Sequence, residues 1–397
     1  MKLTLPVILV LGLLAGLTPF AIDAYLPSIP TIASSLNTDI GLVQLTLSIY
    51  LIVFALFQLV FGPISDALGR RRVVVGGLLV FAFGSFFCAL SQSYDMLLTG
   101  RAIQAFGGAA VAVCVPALVK DGMSINQFAK AMSLVMLVMA LAPLAAPIIG
   151  GAILTLLDWH YIFVFLGLLA LSAIGLFLRV IPETLPVENR SPFSFMKAIR
   201  NYITLLKNPS VLGYIVVAAF YFGGMMSFIT GASFVYIEIY DVDPAHFGFL
   251  VGLNVISMMI ASTINSRYVE KLGTETLSKY AIYVPIFASV MMLVICLFDR
   301  PPLWTIIVAS IMYMGPMGIL GSGFMAGALK HAGNHNGSVT ALAGTSRFAF
   351  GALGGTVISL LHNGTFIPML VTIATCGVIS FVVFQVTIRY TKPMLEQ

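Results

Sequence analysis

Long apolar runs recur from one end of the chain to the other, and they determine the solvent in which it folds. A transmembrane helix needs roughly 20 predominantly apolar residues, and about twelve runs approach that length. Only 9% of the 397 residues are charged, whereas soluble domains carry roughly a quarter. The sequence therefore predicts an all-α membrane protein with twelve transmembrane helices. We place them at approximately 5–25, 41–63, 73–92, 95–118, 130–156, 160–180, 210–232, 246–266, 278–298, 302–326, 337–361 and 366–389.

The longest polar interval, from Pro182 to Pro209, divides these runs six and six. It suits a solvated connector because it carries a series of charged residues: Glu183, Glu188, Arg190, Lys197, Arg200 and Lys207. We predict an N-terminal six-helix bundle at 1–181, a cytoplasmic linker at 182–209 and a C-terminal six-helix bundle at 210–397.

The two halves resemble each other at two places that share one spacing. The pentapeptide SDALG (Ser65–Gly69) returns as VEKLG (Val269–Gly273), displaced by 204 residues. The glycine pair 150–151 returns at 354–355 with the same displacement. Repeated bundles with a site at their interface are an architecture of secondary transporters, so the repeat favours transport.

The distribution of charge predicts the orientation in the membrane, because cytoplasmic loops carry an excess of Lys and Arg. The basic residues collect on one side of the predicted spans: Lys2, Arg70–Arg72, Lys120, Lys130, the linker, Arg267, Lys271, Lys279, Lys330, Arg389 and Lys392. The opposite loops are acidic, apart from Arg300: Asp39, Asp95, Asp158, Glu238, Asp241, Asp243 and Asp299. We expect a multi-pass protein of the bacterial inner (plasma) membrane with both termini cytoplasmic. The first run lacks a convincing cleavage site, so we expect it to be retained.

Several other classes of function are disfavoured. The net charge of +5 is spread over short clusters between apolar runs, which argues against a nucleic-acid partner. No G-x-x-x-x-G-K-[ST] stretch is present, so ATP-driven transport is not expected. The four cysteines lie inside apolar runs without paired spacing, and the five histidines are scattered over loops. We therefore expect no metal, no cofactor and no enzymatic activity.

One carboxylate stands at the end of the first apolar run. The segment PFAIDAYLPSIP (Pro19–Pro30) contains Asp23, and nothing from Leu3 to Ile22 is charged. If the first span buries Asp23, the loss of water raises the proton affinity of its carboxylate, whereas a nearby guanidinium lowers it. We expect Asp23 to bind and release a proton during function, with a hydrated, inert aspartate at the helix end as the alternative.

A second charge, Arg101, lies inside the fourth predicted span, in the segment LLTGRAIQAFGGAA (Leu97–Ala110). At 1.5 Å per residue it lies about 9 Å inside the outer boundary, where an arginine is costly unless it is paired or hydrated. Gln104 lies three residues further, on the same helix face. We expect Arg101 to contact Asp23 at a similar depth; snorkelling to the outer interface is the alternative.

The segment GPISDALGRRR (Gly62–Arg72) falls in the short turn between the second and third spans. Gly62 and Gly69 permit tight turning, and Asp66 can accept hydrogen bonds from helix-terminal amides or a basic partner. The arginines, starting at Arg70, can anchor the turn to anionic lipid. A simple topology signal would explain the arginines but not Asp66 with its flanking glycines. We therefore expect gating to involve Gly62, Asp66, Gly69 and Arg70.

The fifth predicted span contains ALAPLAAPIIGG (Ala140–Gly151). Pro143 and Pro147 each remove a backbone hydrogen bond and bend a helix, while Gly150 and Gly151 permit close packing. We assign these four residues to gating as well; a purely structural kink is the alternative.

Taken together, these segments resemble the motifs of the major facilitator superfamily. The turn at 62–72 looks like its signature loop, in which the acid belongs to a charge relay at the cytoplasmic gate. The segment around Arg101 resembles the span-four motif of proton-coupled members, and the proline–glycine stretch of span five resembles the motif of exporters. Asp23–Pro30 looks like the D-x-Y-L-P-x-x-P signature of the Bcr/CflA family of drug/proton antiporters, and Gly337–Gly355 is similar to its span-eleven G-x-x-x-A-L-x-G stretch.

This resemblance implies a monomeric antiporter that exports small amphipathic compounds by alternating access, including antibiotics of the chloramphenicol or bicyclomycin type. The proton gradient would supply the energy, and the expected partners are the substrate, protons and the lipid bilayer. Export of one endogenous metabolite, such as an amino acid, peptide or siderophore, is the second interpretation. Uptake by proton symport is a third, which the span-five motif disfavours.

The sequence identifies the residues that bind substrate less specifically. Polar, aromatic and methionine side chains of several spans are candidates, because such surfaces adapt to varied apolar ligands. The candidates are Tyr25, Gln44, Tyr50, Gln58, Gln104, Tyr221, Phe222, Met225, Met226, Phe228 and Asn254. Arg347 is added because it departs from the family pattern, which has an uncharged residue there. Lining the cavity, binding an anionic substrate group and pairing with an acid are its three open roles.

Overall fold

The computed structural model describes residues 4–122, 125–190, 195–332 and 336–391. Within these ranges the regular structure is helical, without β-strands. The first helices are α1 (Leu5–Asp23), α2 (Ile29–Ser35), α3 (Ile40–Leu68), α4 (Arg70–Ala89), α5 (Tyr94–Gly122), α6 (Ile125–Leu156), α7 (His160–Val180) and α8 (Phe195–Leu206). The later helices are α9 (Pro209–Ser233), α10 (Pro244–Leu272), α11 (Thr274–Ala281), α12 (Tyr283–Ile295), α13 (Leu303–Met314), α14 (Met317–Lys330), α15 (Asn336–Leu360) and α16 (Ile367–Thr391).

The predicted all-α membrane fold is confirmed. Ten segments of the described chain are long and apolar enough to cross a membrane. Helices α6 and α15 are two further long helices, and with them the number of segments agrees with the prediction of about twelve. Lys2 and Lys392, which belong to the predicted charge pattern at the termini, lie outside the described residues.

Contacts between residues divide the chain into two compact units. The first runs to Phe195 and includes Asp243–Gly248, and the second comprises Met196–Val242 and the chain from Phe249 onward. The division falls inside the predicted linker at 182–209, and the predicted bundle boundaries stay a prediction.

Two predicted spans are each divided into two helices. The span predicted at 278–298 is interrupted at Ile282, between α11 and α12, and the span at 302–326 is interrupted between α13 and α14. Pro285 lies in the first turn of α12, and Pro316 is the N-cap residue of α14. Proline lacks an N–H and its ring clashes with the preceding turn, so each helix starts afresh near its proline.

The internal repeat extends to the backbone geometry of the two matching turns. Gly69, between α3 and α4, has φ +96°, and Gly273, between α10 and α11, has φ +77°. Residues with a side chain rarely adopt this left-handed region, whereas glycine does so readily. The two pentapeptides thus form the same kind of helix-to-helix turn, which supports duplication.

Candidate functional site

The candidate site is built around the C-terminal end of α1. Pro27 stands four residues after Asp23 and lacks the N–H that would bond to its carbonyl. The α-helix therefore ends at Asp23, and a 3₁₀ turn follows at Leu26–Ser28. Such an end leaves the last backbone carbonyls without partners inside the helix. Asp23 itself is buried, with 5% of its surface exposed, so a buried acid and unsatisfied carbonyls share one level of the membrane segment.

Arg101 of α5 satisfies one of these carbonyls. Its Nη1 atom donates to the Ala21 carbonyl oxygen at 2.9 Å and to Oε1 of Gln104 at 2.6 Å. The side chain is fully buried. A cation at the C-terminal end of a helix also complements the negative end of the helix dipole. Arg101 therefore acts as a cap for α1, which accounts for an arginine at this depth.

The predicted side-chain contact between Asp23 and Arg101 is not formed. Among the described residues, no hydrogen bond or ion pair joins the two groups. The reason is that the guanidinium is already held by the Ala21 carbonyl and Gln104, and side chains two residues apart on a helix do not share a face. Both residues lie at the same helix end, and their role in proton coupling stays a prediction.

Gln104 orients Arg101 through a chain of hydrogen bonds. While its Oε1 accepts from Arg101, its Nε2 donates to Oγ of Ser85 at 2.8 Å. The Ser85 hydroxyl in turn donates to the Phe81 carbonyl at 2.8 Å. Both ends of the Gln104 amide are thus engaged. Gln104, which we predicted to contact substrate, instead positions Arg101 and links α5 to α4.

Aromatic rings enclose the Arg101 guanidinium. Its central carbon lies 4.5 Å from the ring centres of Tyr25 and Tyr50 and 5.9 Å from that of Phe163. The Tyr25 hydroxyl is 3.2 Å from Oγ1 of Thr46. Such cation–π contacts partly replace the lost hydration of the guanidinium. Two predicted substrate residues, Tyr25 and Tyr50, are therefore brought together around Arg101.

Not every donor of Arg101 is used. Its buried Nε and Nη2 atoms have no hydrogen-bond partner among the described residues. Unsatisfied buried donors cost roughly 1–3 kcal/mol each, so they favour an incoming acceptor. Gln44, another predicted contact, is also fully buried, on the same helix as Thr46 and Tyr50.

The span-five motif brings the backbone of α6 against the end of α1. A Cβ atom added to Gly150 would overlap the carbonyl oxygen of Ala24, so a larger residue cannot occupy this position without displacing a helix. Pro143 and Pro147 lie inside α6, which continues past both. Gly151 is buried beside Gly150. Gly150 is thus in contact with the helix end that carries Asp23, whereas Gly151 faces Pro244 and Ala245.

A separate network surrounds Arg70 at the other end of the same unit. Its Nη2 contacts Oδ1 of Asp66 at 2.5 Å, and its Nε donates to Oδ2 of Asp121 at 2.9 Å. Its Nη1 donates to Oγ of Ser65 at 2.5 Å, and that hydroxyl donates to the Gly62 carbonyl at 2.8 Å. Helices α3, α4 and α5 are therefore joined through one guanidinium, and the gating role of these residues stays a prediction.

Glu183 completes this network from the segment after α7. Its carboxylate accepts from the backbone N–H groups of Arg70 at 3.2 Å and Arg71 at 3.3 Å, the first turn of α4. An acid at a helix N-terminus is favoured by the unpaired amides and the dipole. A Cβ on Gly69 would lie 2.7 Å from both Glu183 and Arg190. Gly69 is therefore required for its space as well as for its φ.

Sequence reasoning missed two members of the Arg70 network. Asp121 lies 51 residues from Arg70 in the chain, and Glu183 was interpreted only as a solvated linker charge. The i, i+4 spacing of Asp66 and Arg70 was the one local signal. The long-range partners depend on where α5 and α7 end.

Replacing Arg70 with Gln is expected to destabilise the first unit by about 1.5–3 kcal/mol, the range for hydrogen bonds to charged groups. The substitution leaves the carboxylates of Asp66 and Asp121 without their shared cation. Thermal unfolding of the purified protein in detergent measures the change. Arg72→Gln is the matched control, because Arg72 is exposed. Equal melting temperatures for the two variants would contradict a structural role for the network.

In the second unit, the predicted substrate residues differ in whether their polar atoms already have partners. The Tyr221 hydroxyl donates to the Tyr313 carbonyl at 2.5 Å, and the Tyr313 hydroxyl donates to the Tyr221 carbonyl at 3.2 Å. Tyr221 therefore packs α9 against α13. Met225 is half-buried on α9. Asn254 of α10 is fully buried, and both amide atoms lack a partner among the described residues, which keeps it a candidate for substrate contact.

Of the three roles left open for Arg347, pairing with an acid is not observed. Within the described residues no carboxylate lies within ion-pair distance of it. Its guanidinium carbon lies 4.6 Å from the ring centre of Phe222, and it lines a recess of the second unit.

Comparison with known proteins agrees with this architecture. Residues 11–356 match the family model of the Major Facilitator Superfamily. The chain is 37% identical to the bicyclomycin resistance protein homolog of Haemophilus influenzae over 96% of both chains. It is 28% identical to the chloramphenicol resistance protein of Pseudomonas aeruginosa, covering 90% of this chain and 86% of that protein.

Among solved structures, a POT family transporter in complex with a thioalcohol conjugated peptide resembles the chain with a TM-score of 0.78. The two are 13% identical, and the match covers 98% of this chain and 96% of that one. At this identity the likeness shows the fold alone.

The family match and the relatives named for transport or resistance indicate a membrane transporter of small molecules rather than an enzyme. The chain belongs to the major facilitator superfamily. The resemblance to the Bcr/CflA family is confirmed by the resistance proteins that it matches.

Proposed function

We propose that this protein exports small amphipathic compounds, including antibiotics of the chloramphenicol or bicyclomycin type, in exchange for protons. Two relatives are named for resistance to those compounds, and the glycines of α6 fit the exporter pattern. In this proposal the protein works as a monomer in the bacterial inner membrane with both termini cytoplasmic. It needs no cofactor, since one charge crossing 100 mV is worth about 2.3 kcal/mol.

The observation that carries the proposal is the buried carboxylate of Asp23 at the end of α1. It has no hydrogen-bond or ion-pair partner among the described residues, although Arg101 caps the same helix end through Ala21. A buried acid without a partner is costly in a membrane, and binding a proton removes its charge. Ionisable groups inside transmembrane segments commonly mark proton pathways.

A cycle follows in which proton and substrate alternate. Asp23 binds a proton when the site opens outward, and the neutral acid lets the substrate leave. When the site opens inward, substrate binding favours release of the proton to the cytoplasm. Arg101, held by Gln104 and the rings of Tyr25 and Tyr50, keeps the end of α1 in place while the charge on Asp23 changes.

Asp23→Asn is expected to lower proton-driven chloramphenicol transport by about tenfold or more, the factor that 1.36 kcal/mol represents. Asparagine keeps the size of the side chain and cannot release a proton. Transport is measured in everted membrane vesicles with an imposed pH gradient. Asp95→Asn, which changes an exposed acid, is the matched control and is expected to leave transport unchanged. Full proton-driven efflux by Asp23→Asn in proteoliposomes would refute coupling through this residue.

Export of a single endogenous metabolite, such as an amino acid, peptide or siderophore, is the second candidate function. Arg347 favours it, because an unpaired guanidinium suits an anionic metabolite better than a neutral antibiotic. Drug-susceptibility profiles in a pump-deficient host, set beside metabolite analysis of the medium, distinguish the two. Resistance without a change in secreted metabolites supports drug export, and the reverse pattern supports the metabolite.

A further inference from the structure

A recess inside the second unit contains a charge that the proton-coupling proposal does not use. It lies between α9, α14 and α15. Its walls are mainly apolar and include Tyr214, Ile215, Met317, Phe324 and Met325. Among the described residues that line it, Arg347 alone is charged. The recess therefore combines an apolar body with one cationic end.

The position of Arg347 makes its charge costly. It stands near the middle of α15, about 17 Å from the first residue at 1.5 Å per residue. Its buried Nε has no hydrogen-bond partner in the described ranges. The ring of Phe222 at 4.6 Å offers only a cation–π contact. Arg347 is half-buried, and a cation partly removed from water without an anion is disfavoured, so a negatively charged ligand would lower this cost.

The chemistry of the site selects that partner. Guanidinium has a planar arrangement of donors that matches a carboxylate, often through two parallel hydrogen bonds. Methionine and aromatic walls adapt to varied apolar groups. We infer that the recess binds the anionic end of an amphipathic substrate, a carboxylate attached to an apolar body, with Arg347 as its counter-ion. The inference rests on the proposed function only where it makes this ligand a transported substrate.

A neighbouring recess adjoins the first at Tyr214. It is also lined by Glu275, Lys330 and His331. Glu275 is paired with Lys279 at 2.7 Å. Burial and the neighbouring Lys330 lower the pKa of His331 below its usual value, although Glu275 opposes them. Lys330 adds a positive charge to the lining of this second recess.

The test compares two probes that differ in charge and share an apolar body, 4-phenylbutyrate and 4-phenylbutyramide. Binding to the purified full-length protein is followed by the rise in its melting temperature in detergent, without a proton gradient. The carboxylate is expected to stabilise the wild type and the amide is not. Arg347→Gln is expected to weaken carboxylate binding by about tenfold or more, equivalent to 1.4 kcal/mol. The control Arg267→Gln, at an exposed arginine, should bind as the wild type does.

The comparison of the two probes on the wild type does not depend on any variant folding. Arg347→Lys, which keeps a charge without the planar donors, is expected to bind with intermediate affinity. Equal stabilisation by carboxylate and amide would overturn the inference, as would unchanged carboxylate binding by a folded Arg347→Gln protein. If sulfate binds as tightly as 4-phenylbutyrate, the site takes an inorganic anion and the amphipathic class is overturned.

A separate measurement shows whether the proposed export function fails. Proton-driven chloramphenicol efflux by the wild type in everted vesicles tests that function and involves neither probe. If efflux is absent and the carboxylate still binds through Arg347, the export proposal fails and the anion site stands. If efflux occurs and the two probes bind alike, export stands and the anion site fails.

Discussion

Arg101→Lys is expected to lower proton-driven drug efflux by about tenfold or more, and Arg101→Gln is expected to abolish it. Arg101 bonds at once to the Ala21 carbonyl and to Gln104 while its plane is enclosed by aromatic rings. The ammonium of lysine is a compact, strongly hydrated charge that does not reproduce this fork. Glutamine removes the charge that complements the end of α1.

Efflux in everted vesicles and the melting temperature in detergent measure the two consequences separately. Arg72→Lys, the same change at an exposed position, controls for the exchange itself. A structural cap alone would lower the melting temperature and leave the pH dependence of residual efflux unchanged. A coupling residue also shifts that pH dependence. Wild-type efflux together with a wild-type melting temperature for Arg101→Gln would exclude both roles.

Gly150→Ala is expected to abolish efflux and to destabilise the first unit by about 1–3 kcal/mol, the range for overpacked interiors. The added methyl group would overlap the Ala24 carbonyl oxygen, far inside van der Waals contact. That atom belongs to backbone, so no side-chain rotation relieves the overlap. Helix α6 must then move away from the end of α1, which separates it from Asp23.

Gly175→Ala is the matched control, since Gly175 is also helical and has open space around it. Alanine is favoured over glycine in a helix by up to about 1 kcal/mol, so this variant should be as stable as the wild type or more stable. Melting temperature and efflux are compared for the pair. Wild-type behaviour of Gly150→Ala would show that the contact with Ala24 is dispensable.

Periodicity and composition were sufficient for the fold class because lipid imposes a simple rule: each crossing needs a long apolar helix. The span at 160–180 was predicted with the bounds of α7. The breaks beside Pro285 and Pro316 were missed because an apolar run shows no gap there. In a membrane segment a single proline can end one helix and start the next, and the average composition of the run does not show this.

The sequence was sufficient to predict which residues belong to the site, but not which atoms they contact. The depth of Arg101 followed from counting residues, and its spacing to Gln104 indicated a shared face. The predicted partner of Arg101, the Asp23 carboxylate, was wrong. A sequence shows which side chains are charged, whereas the acceptor is the backbone oxygen of Ala21. Similarly, the linker charge Glu183 gains its role only when the end of α7 comes beside the start of α4.

The contact of Glu183 with the first turn of α4 also decides where the connector can be altered. The segment from Glu183 to Arg190 is part of the fold of the first unit, because it is held by backbone amides and borders Gly69. A reporter domain or a protease site inserted next to Glu183 would pull a cap away from α4. Tags and chain breaks therefore belong after Arg190, in the remainder of the connector.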